Sequence, residues 1–119
     1  ATTKVLPEYS GKFDGMAVRV PVAVGSLSDI TLVMKKDTSK EEVNKILEEE
    51  SNSNRYAKVI RTTNDPIVSS DIIKDPHAAV LDLQMTKVVD GDLVKILAWY
   101  DNEWGFANQM IRQIIETSL

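Results

Sequence analysis

The sequence predicts an α+β domain: a mainly antiparallel, mixed sheet with helices packed on one face. Three observations point there. Apolar and polar residues alternate in several short stretches, as half-buried strands require. One stretch changes to helical spacing behind an N-capping signal. An Asp-Gly pair separates two strongly apolar runs, which is hairpin chemistry. The 119 residues suit a single domain, and hydrophobic and charged fractions of 43% and 27% are ordinary globular values.

The elements follow in order. Residues 15–22, GMAVRVPV, put Met16, Val18 and Val20 on one face and Ala17 and Arg19 on the other, a strand ending at Pro21. Gly25-Ser26 supplies turn chemistry before DITLVMK, residues 29–35, where Ile30, Leu32 and Met34 share a face. The two strands are expected to pair antiparallel. Ser39 then reads as the N-cap of a helix, with Glu42 closing a capping box. Val43, Ile46 and Leu47 form its buried stripe, Glu41, Lys45, Glu48 and Glu49 face water, and SNSN at 51–54 ends it.

Residues 56–61 suit a short strand. Residues 62–76 contain Asp65-Pro66 and Asp75-Pro76 and read as loop, with a short turn or strand around Ile67-Val68. Residues 79–87 and 93–100 are strands joined across Asp90-Gly91. The second, LVKILAWY, is apolar on both faces apart from Lys95, so it is predicted to be central in the sheet. Asp101-Asn102 opens the last helix, whose stripe is Met110, Ile111, Ile114 and Ile115.

Composition excludes several functions. The net charge is −4 and the lysines are scattered, which argues against nucleic acid. No apolar run approaches the roughly 18 residues of a membrane span. The N-terminal ATTKVLPEYS has neither the basic nor the apolar region of a signal peptide, and without an initiator methionine the chain is expected to be cut or a fragment. The absence of cysteine removes disulfides, thiolate nucleophiles and Cys-based zinc sites. With one histidine and no HExxH or EF-hand pattern, no metal site is expected. Neither GxGxxG, GxxxxGK[ST] nor GxSxG occurs.

Three places could carry chemistry. His77, in Asp75-Pro76-His77, enters a strand from a turn; with no cysteine in the chain to activate, it reads as a structural hydrogen-bonding group rather than a base. Arg19 projects from a strand of small and apolar residues. Its planar fork suits phosphate or carboxylate, and an ion pair on the sheet surface is the alternative. In AWYDNEWG, residues 98–105, a strand runs into a helix within two residues. Asp101 and Glu103 suit the positive end of that helix, Asp101 or Asn102 can cap it, and the aromatics can be core. Asn102 could equally offer a donor and an acceptor to a ligand amide.

Taken together, GMAVRVPV and AWYDNEWGFANQM resemble the C-terminal catalytic domain of glyceraldehyde-3-phosphate dehydrogenase. KVLPEYSGKFDGMAVRVP, SDITLVMKK, TSKEEVNKIL and NDPIVSSDIIKDPHAAVLD follow in the family's order, so the resemblance spans essentially the whole chain. PVAVGS, DPIVSSD and KILAWYDNEWG look like a bacterial member, including the relative that oxidises erythrose 4-phosphate.

The resemblance implies that residues 1–119 form part of that catalytic domain, without the N-terminal Rossmann half. It implies that Arg19 helps hold substrate phosphate and that Asn102 hydrogen-bonds the nicotinamide carboxamide. Phe106 stands near the nicotinamide where a tyrosine is usual, keeping the ring and losing the hydroxyl. His77-Ala78-Ala79 stands where HSS is usual, two hydroxyls fewer, and its histidine is not the catalytic base. The cysteine that attacks the aldehyde, the histidine that takes its proton and the loop of the second phosphate site lie outside the chain.

The resemblance further implies NAD or NADP as cofactor of the intact enzyme, with none held tightly by this chain, and a cytoplasmic location. The implied partners are the rest of the dehydrogenase chain, its other subunits and a sugar phosphate, with neither nucleic acid nor membrane. Alone, the chain is expected to lack dehydrogenase activity and to self-associate through apolar surface. The alternative is a stand-alone binding or interaction module on the same scaffold.

Overall fold

The computed structural model describes residues 2–118. Four strands, β1 (Ser26–Val33), β2 (Ile60–Thr63), β3 (Ala79–Val89) and β4 (Leu93–Tyr100), form one sheet in the order β1-β4-β3-β2. Helices α1 (Thr2–Val5), α2 (Lys40–Ser51) and α3 (Trp104–Thr117) and the 3-10 turns Pro7–Tyr9 and Ser69–Ile72 complete the described elements. The fold is therefore α+β, as the alternating patterns predict.

Strand β4 is central because it is the strand with apolar residues on both faces. It pairs antiparallel with β1, from Ser26↔Tyr100 to Val33↔Leu93. It also pairs antiparallel with β3, with an irregularity between Asp82 and Lys87. The β3–β4 turn uses left-handed backbone at Asp90 (φ 52°) and Gly91 (φ 79°), the conformation that an Asp-Gly pair tolerates best. Strand β2 is the mixed element, pairing parallel with β3 from Ile60↔Ala79 to Thr63↔Asp82. The chain returns between them through the Ser69–Ile72 turn, which drops Ile72, fully buried, into a core of Val80, Leu81, Leu83, Val94, Leu97 and Ala98. Gly25 closes the other side. A Cβ there would stand 2.8 Å from the Ile72 Cδ1, and its φ of +93° suits glycine alone.

Helix α2 begins as predicted, with Ser39 Oγ accepting from the Glu42 N–H at 3.1 Å. The other half of the capping box is diverted: the Glu42 carboxylate accepts from the Thr38 hydroxyl at 2.8 Å. Only Val43 of the expected stripe is buried, Leu47 is half-buried, and Ile46 is exposed. Polar ties to β3 share the docking, since Asn44 Nδ2 donates to the Leu83 carbonyl and Lys40 Nζ to that of Gln84.

Three expectations are corrected. Residues 15–22 belong to no strand. A β-strand needs a neighbour for its N–H and C=O groups, and among the described residues no strand pairs with this segment, where Val22 N–H bonds locally to the Val20 carbonyl. Met16 is consequently 91% exposed. The strand expected at 56–61 begins later, at Ile60, because residues 53–60 close turns through bonds such as Ala57 N–H to the Ser53 carbonyl. Finally, the α3 stripe of Met110, Ile111, Ile114 and Ile115 is amphipathic but exposed, as nothing among the described residues covers it. No helix among the described residues is long and apolar enough to cross a membrane.

Candidate functional site

The segment 98–105 is held by Asp101, which is only 4% exposed. Its Oδ1 accepts from the N–H groups of Glu103 (3.1 Å) and Trp104 (2.8 Å), capping α3. Its Oδ2 accepts from the Lys74 N–H at 2.9 Å, where the backbone is left-handed (φ 64°). One carboxylate thus ties the end of β4, the start of α3 and the loop before β3 together. The N–H groups of Lys74 and Trp104 hold its pKa below the ordinary value, and that of Glu103 adds to them. They outweigh burial and the nearby Asp75 charge, which push it up.

With Asp101 serving as the cap, the Asn102 amide is left over. Its side chain points back to the start of β1, where the Ser26 hydroxyl donates to Asn102 Oδ1 at 2.7 Å. Residue 102 is exposed and lines a concavity of about 240 Å³ together with Ala78, Tyr100, Asp101, Phe106 and Gln109. Asn102 and Phe106 are therefore brought to one cavity. Asn102 supplies an amide whose Nδ2–H₂ has no hydrogen-bond partner among the described residues, and Phe106 an exposed ring.

Gly105 makes that arrangement possible. It is buried, and a Cβ on it would meet the His77 carbonyl oxygen at 2.7 Å, so α3 starts directly against the 75–78 segment. About one turn on, Gln109 Nε2 donates to the carbonyls of Lys58 and Pro76, both at 2.9 Å, and fixes the far wall.

His77 is tied to Asp75 through both its ring and its backbone. Its Nδ1 lies 2.7 Å from Asp75 Oδ1, and its N–H donates to the same oxygen at 2.9 Å. Arg61 holds the other oxygen through Nε and a second guanidinium nitrogen, both at 2.7 Å. Burial pushes the Asp75 pKa up, but the His77 N–H and ring and the Arg61 guanidinium together bring it below the ordinary value. An ionised carboxylate only accepts, so the His77 Nδ1 carries the hydrogen. Another concavity, about 430 Å³, includes His77, Lys58 and Arg112 in its wall. No cluster able to hold a metal ion occurs among the described residues.

Arg19 is not part of either concavity and is exposed on the unpaired segment leading through Val24 and Gly25 into Ser26. The two tryptophans differ. Trp99 is half-buried, its indole N–H directed at Asp82 Oδ2 at 3.3 Å, whereas Trp104 opens α3 at the surface. In the sequence, Ser26 and Asp75 show only turn and loop chemistry. Ser26 lies 76 positions from Asn102, and nothing local in the sequence links the two.

A family model described as "Glyceraldehyde 3-phosphate dehydrogenase, C-terminal domain" matches residues 1–102. The chain is 49% identical over 107 residues to a glyceraldehyde-3-phosphate dehydrogenase of Pseudomonas aeruginosa, covering 90% of this chain and 31% of that protein. It is 42% identical over 111 residues to that of Zymomonas mobilis, covering 93% of this chain and 33% of the relative. It is 43% identical over 111 residues to glyceraldehyde-3-phosphate dehydrogenase 2 of Streptomyces avermitilis, with the same coverage of 93% and 33%. The chain thus spans about a third of the length of the curated relatives it matches.

Proposed function

Since the chain belongs to the glyceraldehyde-3-phosphate dehydrogenase family, as part of its C-terminal domain, we propose that it supplies two binding groups to a phosphorylating aldehyde dehydrogenase: Asn102 for the nicotinamide cofactor and Arg19 for the sugar phosphate. The observation that carries the reading is the corner at 100–106. There a buried cap, Asp101, leaves an exposed asparagine amide and an aromatic ring, Phe106, in one concavity.

The residues present fit a nicotinamide. Its ring is a flat aromatic face that Phe106 can stack against, and in the oxidised cofactor it carries a positive charge that an aromatic face also attracts. Its carboxamide needs one donor and one acceptor, and the Asn102 amide offers both. The volume of about 240 Å³ falls below the roughly 300–1,000 Å³ of a complete small-molecule site, in keeping with a chain that contributes one wall. The cofactor, NAD or NADP, would accept a hydride from the substrate. Asn102 would orient the ring that receives it, and the buried ties of Asp101 would keep Asn102 in place. Arg19, a permanent cation on a segment leading into the same corner, would attract the dianionic phosphate end of the aldehyde.

The nucleophile that opens the reaction has no counterpart here, because the chain contains no cysteine. The 119 residues alone are expected to show no aldehyde oxidation above background, and the activity to require the rest of the dehydrogenase. In the complete enzyme, Asn102→Ala is expected to raise KM for NAD about fivefold to tenfold, with KM for the aldehyde nearly unchanged, the effect of losing roughly one hydrogen bond. An unchanged KM for NAD removes Asn102 from the cofactor site.

The partners follow from the same reading: the remainder of the dehydrogenase chain and its other subunits. The exposed stripe of Ile111, Ile114 and Ile115 on α3 is surface of the kind such partners cover. By itself the chain is expected to self-associate through it. Sedimentation equilibrium should give an average mass rising above 13.3 kDa with concentration. Ile111→Glu combined with Ile115→Glu should hold it at the monomer value, and a wild-type chain that stays monomeric throughout rules the contact out.

A further inference from the structure

We propose that Ser26 is a positioning residue for Asn102, holding its amide at the angle in which it meets the nicotinamide carboxamide; the proposal rests on the cofactor reading of Asn102. Asn102 follows a rigid residue but is itself exposed, with two free side-chain torsions. Asp101 fixes the backbone on either side through Lys74, Glu103 and Trp104, and none of those bonds reaches the Asn102 amide. Among the described residues the one bond that does is the donation from Ser26 Oγ to Asn102 Oδ1 at 2.7 Å.

The anchor is well placed to be stiff. Ser26 is the first residue of β1 and pairs with Tyr100 of β4, so its backbone is part of the sheet. The preceding Gly25 is packed against the fully buried Ile72 and the Ser69 carbonyl, which leaves Ser26 little freedom to shift. The amide therefore spans from the helix side of the corner to the sheet side. Bonding by Ser26 does not exhaust it. Oδ1 keeps a second lone pair and Nδ2 both its hydrogens, so the oriented amide still presents an acceptor and donors to a ligand. Without the hydroxyl, the side chain must be ordered at the moment of binding, and the cost of fixing its rotamer is taken from affinity.

The test is steady-state kinetics of the complete dehydrogenase with NAD as the varied ligand. Ser26→Ala should raise KM for NAD about threefold to tenfold, the worth of a neutral hydrogen bond, with KM for the aldehyde unchanged. Ser26→Thr, which keeps the hydroxyl, should restore the wild-type value. In an Asn102→Ala background, Ser26→Ala should add nothing, because the residue acts only through that amide. If Asn102→Ala raises KM for NAD and Ser26→Ala does not, the positioning role is wrong while the cofactor reading stands. If Asn102→Ala leaves KM unchanged, the cofactor reading fails and the proposal with it. Should the Ser26→Ala enzyme not assemble, the 119-residue chain decides through the NMR signals of the Asn102 side-chain amide. Faster amide averaging in Ser26→Ala, reversed in Ser26→Thr, supports the tie; identical amide signals in all three chains overturn it.

Discussion

Asp101→Ala is expected to destabilise the fold by roughly 3–5 kcal/mol, measured as the loss of unfolding free energy in urea. The size follows from what the carboxylate does. It is 4% exposed and accepts from three backbone N–H groups, on Lys74, Glu103 and Trp104. A methyl group there leaves all three donors without their acceptor, and water has little access to replace it. The positive end of α3 loses its anion as well. Asp101→Asn separates charge from shape. One amide oxygen can still accept from Glu103 and Trp104, but the Nδ2 that replaces Oδ2 presents hydrogens to the Lys74 N–H. A loss of about 1–2 kcal/mol is expected.

The pH dependence distinguishes these variants further. The folded pKa of Asp101 lies below its ordinary value of 3.8, so near and below that pH the unfolded chain binds more protons than the folded one. The stability it contributes is complete above pH 3.8 and is lost as the pH falls through the folded pKa. Asp75 acts in the same direction, its pull from His77 and Arg61 outweighing burial. Acid unfolding should therefore steepen below about pH 4, and Asp101→Asn should flatten part of that limb. A wild-type chain whose stability is flat between pH 5 and pH 2, to within about 0.5 kcal/mol, contradicts the assignment.

Arg19→Ala in the complete dehydrogenase is expected to lower kcat/KM for the phosphorylated aldehyde about 100-fold, on the scale of a lost charge-assisted contact of some 3 kcal/mol. An aldehyde without phosphate should be used equally well by both enzymes, because the arginine then has nothing to hold. Arg19→Lys should recover only part of the loss, since an ammonium keeps the charge but not the bidentate fork. Equal losses with both aldehydes would mean that Arg19 supports the fold instead. Against that outcome, the Arg19 side chain makes no hydrogen bond or ion pair among the described residues and lies on a segment that is exposed throughout.

Much of the architecture was set by local pattern. LVKILAWY has apolar residues on both faces and could be stable only between two strands, which is where β4 lies. Asp90-Gly91 had to be a hairpin because few pairs accept two consecutive left-handed residues. Ser39 capped α2 because an N-cap needs only a hydroxyl three residues ahead of an N–H. The resemblance carried by GMAVRVPV with AWYDNEWG also pointed to the family that the comparisons show.

Tertiary structure decided what depends on neighbours distant in sequence. The alternation in residues 15–22 is strand-like, yet a strand exists only where another backbone takes up its N–H and C=O groups, and among the described residues none does. The isoleucines of α3 have a core-like spacing, yet spacing selects a face without supplying what covers it. Between Asp101 and Asn102, both good capping residues, the choice fell to Asp101 because the Lys74 N–H was within reach of its second oxygen. That freed Asn102 to meet Ser26. Local sequence determined the elements and the chemistry of their side chains; which of those groups meet was decided by the packing of β4, β3 and α3, because hydrogen bonds form across space and not along the chain.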